Sequence, residues 1–144
     1  MATFTLRQVV DAIRQNGLPQ AYGTFFADRQ EYNPAIDYRL RDLKPDTIHA
    51  CALGQAAFNL DVDPTDLINE IEELEDIEGE DGSIVYVSGF ANDVINMNDT
   101  QHKGLNQIAK YLEEEYGEVL DSTTINLRRT PTKYRRFKEA MKNG

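Results

Sequence analysis

Leu6, Val9, Val10 and Ile13 recur at the spacing of one helical face, which predicts a helix over 5–16. Thr5 stands before that face and Gln8 three residues later, the pattern of a capping box. Gly17 and Pro19 close the segment, glycine by admitting a left-handed turn and proline by blocking continuation. Over 20–46 the period disappears. Tyr22, Phe25, Phe26, Tyr32 and Tyr38 are isolated anchors among turn formers, Asn33-Pro34 marks a turn, and one short strand is expected around 23–26.

A second helix is expected over 45–59, capped by Asp46 or Thr47, with Ile48, Ala52, Gln55 and Asn59 at helical spacing. Its run ACALGQAAF is rich in small residues, so a neighbouring element can approach its axis closely. A third helix is expected over 64–76. Asp63 is its cap, Pro64 its first residue and Asp66 a first-turn acid, with Leu67, Ile68, Ile71 and Leu74 inward. A polar turn over 78–83 leads to a β-branched and aromatic run over 84–87 that reads as a strand. Residues 90–97 read as a helix with Phe90, Val94, Ile95 and Met97 inward, and 98–104 as a turn.

Leu105, Ile108, Ala109 and Leu112 predict a helix over 105–116, which Gly117 stops. Residues 123–127 suggest a strand. Pro131 then opens a basic helix with Tyr134, Phe137 and Met141 on one side. The expected fold is α+β, a mainly helical single domain of about five helices with two or three short strands. Residues 1–129 form its acidic body. The basic helix over 130–144 packs on that body or on a second subunit, which would make a homo-oligomer.

Charge sharpens this picture. Between Lys44 and Lys103 there are fourteen acids and no lysine or arginine. The last eighteen residues hold seven bases against Glu139, a local +6, so with −10 for the whole the first 126 residues carry −16. The single cysteine, Cys51, excludes an intrachain disulfide. No run approaches the ~18 apolar residues of a membrane span, and no cleavable signal pattern opens the chain, so a cytoplasmic location is expected.

The candidate chemistry is sparse. Cys51 beside His49, with Asp99 as a third group, makes the weak constellation of a cysteine-dependent hydrolase or transferase. A cysteine among alanines is more often a small buried hydrophobe. Residues 61–72 set acids at calcium-loop positions but carry Asp66 where that loop needs glycine. One cysteine with His49 and His102 gives no zinc spacing, and no glycine-rich phosphate loop occurs, so neither metal nor cofactor is assigned. Residues 90–116 have helix–turn–helix flavour, but the second helix ends Glu113-Glu114-Glu115, which opposes binding of duplex DNA by the acidic body.

One combination of short motifs resembles a known group. It comprises Ile13-Arg-Gln-Asn-Gly17 with Gln20, Ala50-Cys-Ala-Leu-Gly54-Gln-Ala-Ala57, Met97-Asn-Asp99 and Ile108-Ala109 before a terminal amphipathic helix. This is similar to a family of small uncharacterised phage and bacterial proteins with a C-A-x-G-A-A helix and a later N-D turn. The likeness spans roughly 5–116; the inserted acidic segment 61–83 is longer than the pattern leads one to expect, and the basic tail after Leu127 is not part of it. It implies a phage or mobile-element context and no catalytic residues. It also suggests that Cys51 and Gly54 permit close helix packing and that Asn98-Asp99 caps the helix that follows.

The leading expectation is a non-enzymatic acidic interaction protein, a phage-encoded modulator or inhibitor of a host nucleic-acid-handling or defence protein. Its contact with a basic host surface would run through Glu70, Glu72, Glu73, Glu75, Asp76, Glu78, Glu80 and Asp81. The alternatives are the cysteine enzyme and a small-ligand or nucleotide-binding protein whose anion contacts are Arg128, Arg129, Arg135 and Arg136.

Overall fold

The computed structural model describes residues 1–14 and 17–143, so the expected end of the first helix at 15–16 and the last residue of the tail lie outside the described residues. Strand β1 (Ala2–Thr5) runs directly into helix α1 (Leu6–Arg14). The capping box is present: Gln8 N–H donates to Thr5 Oγ1 at 3.1 Å, and Thr5 N–H donates to Gln8 Oε1 at 2.8 Å. Leu6, Val9, Val10, Ala12 and Ile13 are buried, and α1 packs against α2 (Ala52–Leu60) and α5 (Leu105–Tyr116).

Between α1 and α2 the chain makes strand β2 (Phe26–Ala27), a 3₁₀ turn over Leu40–Asp42 and strand β3 (His49–Ala50). The helix expected from residue 45 therefore begins only at Ala52. The physical reason is tertiary. Ala50 N–H donates to Pro19 O, Ala21 N–H to Ala50 O and Cys51 N–H to Phe25 O, while Phe26 pairs with Ala50. Those bonds hold 48–51 extended, and neither Asp46 nor Thr47 caps the helix.

Helix α3 (Pro64–Glu72) has the expected N-terminus, with the Asp63 carboxylate accepting from Thr65 and Asp66 N–H. It stops short of 76. Glu72, Glu73, Glu75 and Asp76 would stack four carboxylates at the negative end of the helix dipole with no base to offset them. The chain instead forms a hairpin, β4 (Ile77–Glu78) against β5 (Ile84–Val85). The strand expected over 84–87 ends early because Val87–Gly89 is a 3₁₀ turn.

Helix α4 (Phe90–Ile95) widens into a π turn over Asn96–Thr100, so the expected loop at 98 is helical as far as Thr100. Ile95 is only partly buried. Helix α5 has the bounds read from the sequence, and strand β6 (Thr124–Leu127) pairs antiparallel with β1, Phe4 opposite Ile125.

Two apolar clusters result. The larger is built from α1, α2, α3, α4 and α5 with β6. The smaller gathers Leu18, Phe26, Leu43, Ile48, Ala50 and Phe58 beneath Tyr134 and Phe137 of helix α6 (Pro131–Asn143). Tyr134 donates its hydroxyl to Val62 O at 2.6 Å, and Lys133 and Lys138 reach Asp63 and Asp61 at 2.5 and 2.6 Å. Met141 does not join the inward side: it is 44% exposed, one turn beyond the cluster. The molecule is a single α+β domain with six α-helices and six short strands among the described residues.

Candidate functional site

The motif residues meet at one place, the N-terminus of α2. Cys51 is its N-cap, and the thiol sulfur accepts from Gly54 N–H at 3.4 Å. A Cβ on Gly54 would lie 2.2 Å from the Phe25 carbonyl oxygen, so only glycine lets that strand approach the helix end. Gln55 is fully buried, and its amide donates to Leu18 O at 2.6 Å and Ala50 O at 3.3 Å.

Asn98, carried inward by the π turn, completes the arrangement. Its Oδ1 accepts from Ala52 N–H at 3.1 Å and from Gln20 Nε2 at 2.8 Å, and its Nδ2 donates to Ala21 O at 3.0 Å. Asn98 thus caps α2, which precedes it, and not the helix that follows as the motif suggested. Helix α5 has Gly104 as its N-cap instead, and Gly104 N–H donates to Gln107 Oε1 at 3.2 Å.

Above this knot lies a cavity of about 300 Å³ with Cys51 and Asp99 in its lining, beside Phe25, Leu53 and Val94. Asp99 accepts from Gly23 N–H at 2.9 Å. Gly23, at φ +88°, faces the ring of Tyr32. A neighbouring dish shares Gly23 and Asp99 and is walled by Tyr22 and His102, whose rings stack with centroids 4.1 Å apart.

His49 is not in either lining. It sits on β3 opposite Ala27, its Nδ1 2.8 Å from Thr47 O. The structure therefore brings Cys51 and Asp99 together and leaves His49 elsewhere. Burial pushes the Cys51 thiol up to about 12, so near neutral pH it stays protonated. A neutral sulfur that caps a helix is a packing element. Labelling of the native protein by a thiol reagent at neutral pH is expected to run at least about a hundredfold slower than in denaturant, because the nucleophile is the thiolate. Cys51→Ser should stay within about 1 kcal/mol of wild-type stability, serine being a good N-cap. Rapid native labelling would contradict this.

The eight acids expected to contact a partner lie on the C-terminal end of α3, the β4–β5 hairpin and the segment between them. All but Glu70 are exposed, and Glu70 is half-buried. None of them forms an ion pair among the described residues. Glu78 stands opposite Ile84 in the hairpin, and Ile84 and Tyr86 are 48% and 65% exposed. Two acids of the calcium-loop pattern are otherwise engaged: Asp61 caps the end of α2 and Asp63 the start of α3, each paired with a lysine of α6.

The four candidate anion contacts separate into two pairs. Arg135 and Arg136 line an open groove between α6 and the 3₁₀ turn over Leu40–Asp42, together with Arg39, Arg41 and Lys133. Arg128 and Arg129 do not line it: Arg129 lies over the ring of Phe4, 5.5 Å from its centroid, and Val62 bridges to it. Sequence reasoning missed Arg39 and Arg41, since nothing local ties them to a helix some ninety residues later. It also missed the carbonyl contacts of the buried Gln55 amide and assigned Asn98 to the wrong helix. No helix is long and apolar enough to cross a membrane among the described residues. Comparisons with protein-family models, curated proteins and solved structures found no match.

Proposed function

We propose that the protein is a non-enzymatic interaction protein that engages a basic protein surface through its α3–hairpin face. The observation that carries this reading is the coincidence of seven exposed carboxylates without an ion pair among the described residues with the exposed side chains of Ile84 and Tyr86. Interface centres are enriched in tyrosine and more apolar than their rims, and a surrounding ring of one charge steers the approach of a partner of the opposite sign. The resemblance to small phage proteins adds a context in which the partner is a host nucleic-acid-handling or defence protein in the host cytoplasm.

The test begins with partners captured from host lysate and identified by mass. Each is then measured as purified protein against wild type and against the variant with Glu72, Glu73, Glu75 and Asp76 changed to lysine. These four are exposed and flank the buried Ile71, so the fold should survive. Association is expected to slow by roughly tenfold or more at low salt, with the difference closing as salt screens the field. Equal rates with one salt slope would mean that the face is only solvated.

A further inference from the structure

The groove between α6 and the 3₁₀ turn is the opposite of the rest of the molecule. In a chain of net charge −10, Arg39, Arg41, Lys133, Arg135 and Arg136 converge on one open groove of about 810 Å³, with Glu139 the sole acid in its lining. They come from two segments that the smaller apolar cluster presses together, with Leu40 on one side and Phe137 on the other. Convergence of like charges costs stability unless something offsets it. Inside the molecule the offset is partial. Lys133 is paired with Asp63, Arg39 with Asp37 at 3.0 Å, and Arg136 donates to Leu40 O at 2.7 Å while lying over Phe137. Arg41 and Arg135 have no ion-pair partner among the described residues.

The position of the groove adds to the field. Thr132 and Lys133 belong to the first turn of α6, a thirteen-residue helix whose N-terminal amides and dipole favour an anion. Guanidinium forks match phosphate oxygens two at a time, and Arg136 is held by its backbone bond and ring contact before any ligand arrives. The acidic body limits how far a polyanion can extend, since a long nucleic acid leaving the groove would run over a surface carrying most of the −16. The ligand that fits is short and densely charged.

We propose that this groove binds an oligophosphate, either inorganic or as the phosphate tail of a nucleotide, with Arg41 and Arg135 as its free contacts and Arg136 as its fixed one. It is a site separate from the acidic face and independent of the partner reading above.

Calorimetric titration of the full chain with inorganic tripolyphosphate, with ATP and with sulfate at matched ionic strength tests it. Tripolyphosphate is expected to bind saturably at one per chain, with sulfate at least roughly tenfold weaker because it offers fewer oxygens to the forks. Arg41→Glu with Arg135→Glu should weaken binding by roughly tenfold or more. A control carrying Lys110→Glu and Arg128→Glu, the same change in net charge outside the groove, should bind as wild type does. Unliganded melting of all three proteins checks that each is folded. If the groove double variant does not fold, Arg41→Gln alone, at an exposed and unpaired position, takes its place. ATP binding more tightly than tripolyphosphate would assign the ligand to nucleotides, and equal binding would assign it to the phosphates alone. Absence of saturable binding, equal loss in the groove and control variants, or tight binding of a single-stranded oligonucleotide without tripolyphosphate binding would each overturn the proposal.

Discussion

Phe137→Ala is expected to destabilise the protein by about 3–5 kcal/mol, the usual cost of emptying a buried aromatic site. Phe137 is 1% exposed and shares the smaller cluster with Phe26, Leu43, Ile48, Phe58 and Tyr134. That loss is a large share of the roughly 5–15 kcal/mol that holds a domain of ordinary stability. The melting temperature should fall by about 10 °C or more. Met141→Ala in the same helix should change stability by less than about 0.5 kcal/mol, because Met141 is exposed. Denaturant unfolding of the two variants separates a docked helix from a free arm. Equal small effects would mean that α6 does not contribute its aromatic residues to the folded state in solution. Removing 130–144 goes further, since it uncovers the whole cluster and frees Asp61 and Asp63 of their lysines.

Asn98→Ala should cost about 3 kcal/mol or more, at a position where a count of apolar contacts would foresee almost nothing. The side chain is 1% exposed and serves Ala52 N–H, the Gln20 amide and the Ala21 carbonyl at once. Deleting it leaves the Ala52 N–H and the Ala21 carbonyl without partners, at about 1–3 kcal/mol for each group left unmet, while the half-buried Gln20 amide keeps its bond to Lys103 O. Asn98→Asp separates the contributions. It keeps the acceptor toward Ala52 but loses the donor to Ala21 and sets a second carboxylate beside Asp99. It should be at least as damaging at neutral pH and should recover part of its stability as the pH falls and that carboxylate is protonated. A change below about 1 kcal/mol for Asn98→Ala in chemical unfolding would show that water replaces the asparagine and that the knot is not cooperative.

The elements legible in the sequence are those whose ends are set by neighbours in the chain. Thr5 with Gln8 starts α1, Asp63-Pro64 starts α3, and the apolar period from Leu105 to Leu112 with Gly117 after it delimits α5. What was not legible depends on partners far along the chain. Residues 48–51 read as helix, yet Pro19, Ala21 and Phe25 capture their backbone. Asn98 read as the cap of the next helix because the wide turn that swings it back onto α2 leaves no local pattern. The acidic face was visible as a run of charge. The basic groove was only half visible, since the helical spacing of Lys133, Arg135 and Arg136 says nothing of Arg39 and Arg41.

The pairing of β1 with β6 bears on the order in which the chain can fold. Thr5 lies opposite Thr124, and Leu6 N–H donates to Thr123 O at 3.0 Å, so β1 pairs with a segment far along the chain, with almost the whole domain in the loop between them. Closing a loop of that length costs about 4 kcal/mol of chain entropy before the ladder returns anything. Helix α1 can dock on α2 early, but the strand leading into it must wait. Until β6 pairs with it β1 is a bare edge, and its shortness, four residues, limits its tendency to pair with another chain. Contacts of low sequence separation form the middle of the molecule first, and the β1–β6 ladder acts as a late latch, setting a folding rate slower than the helical content alone would suggest.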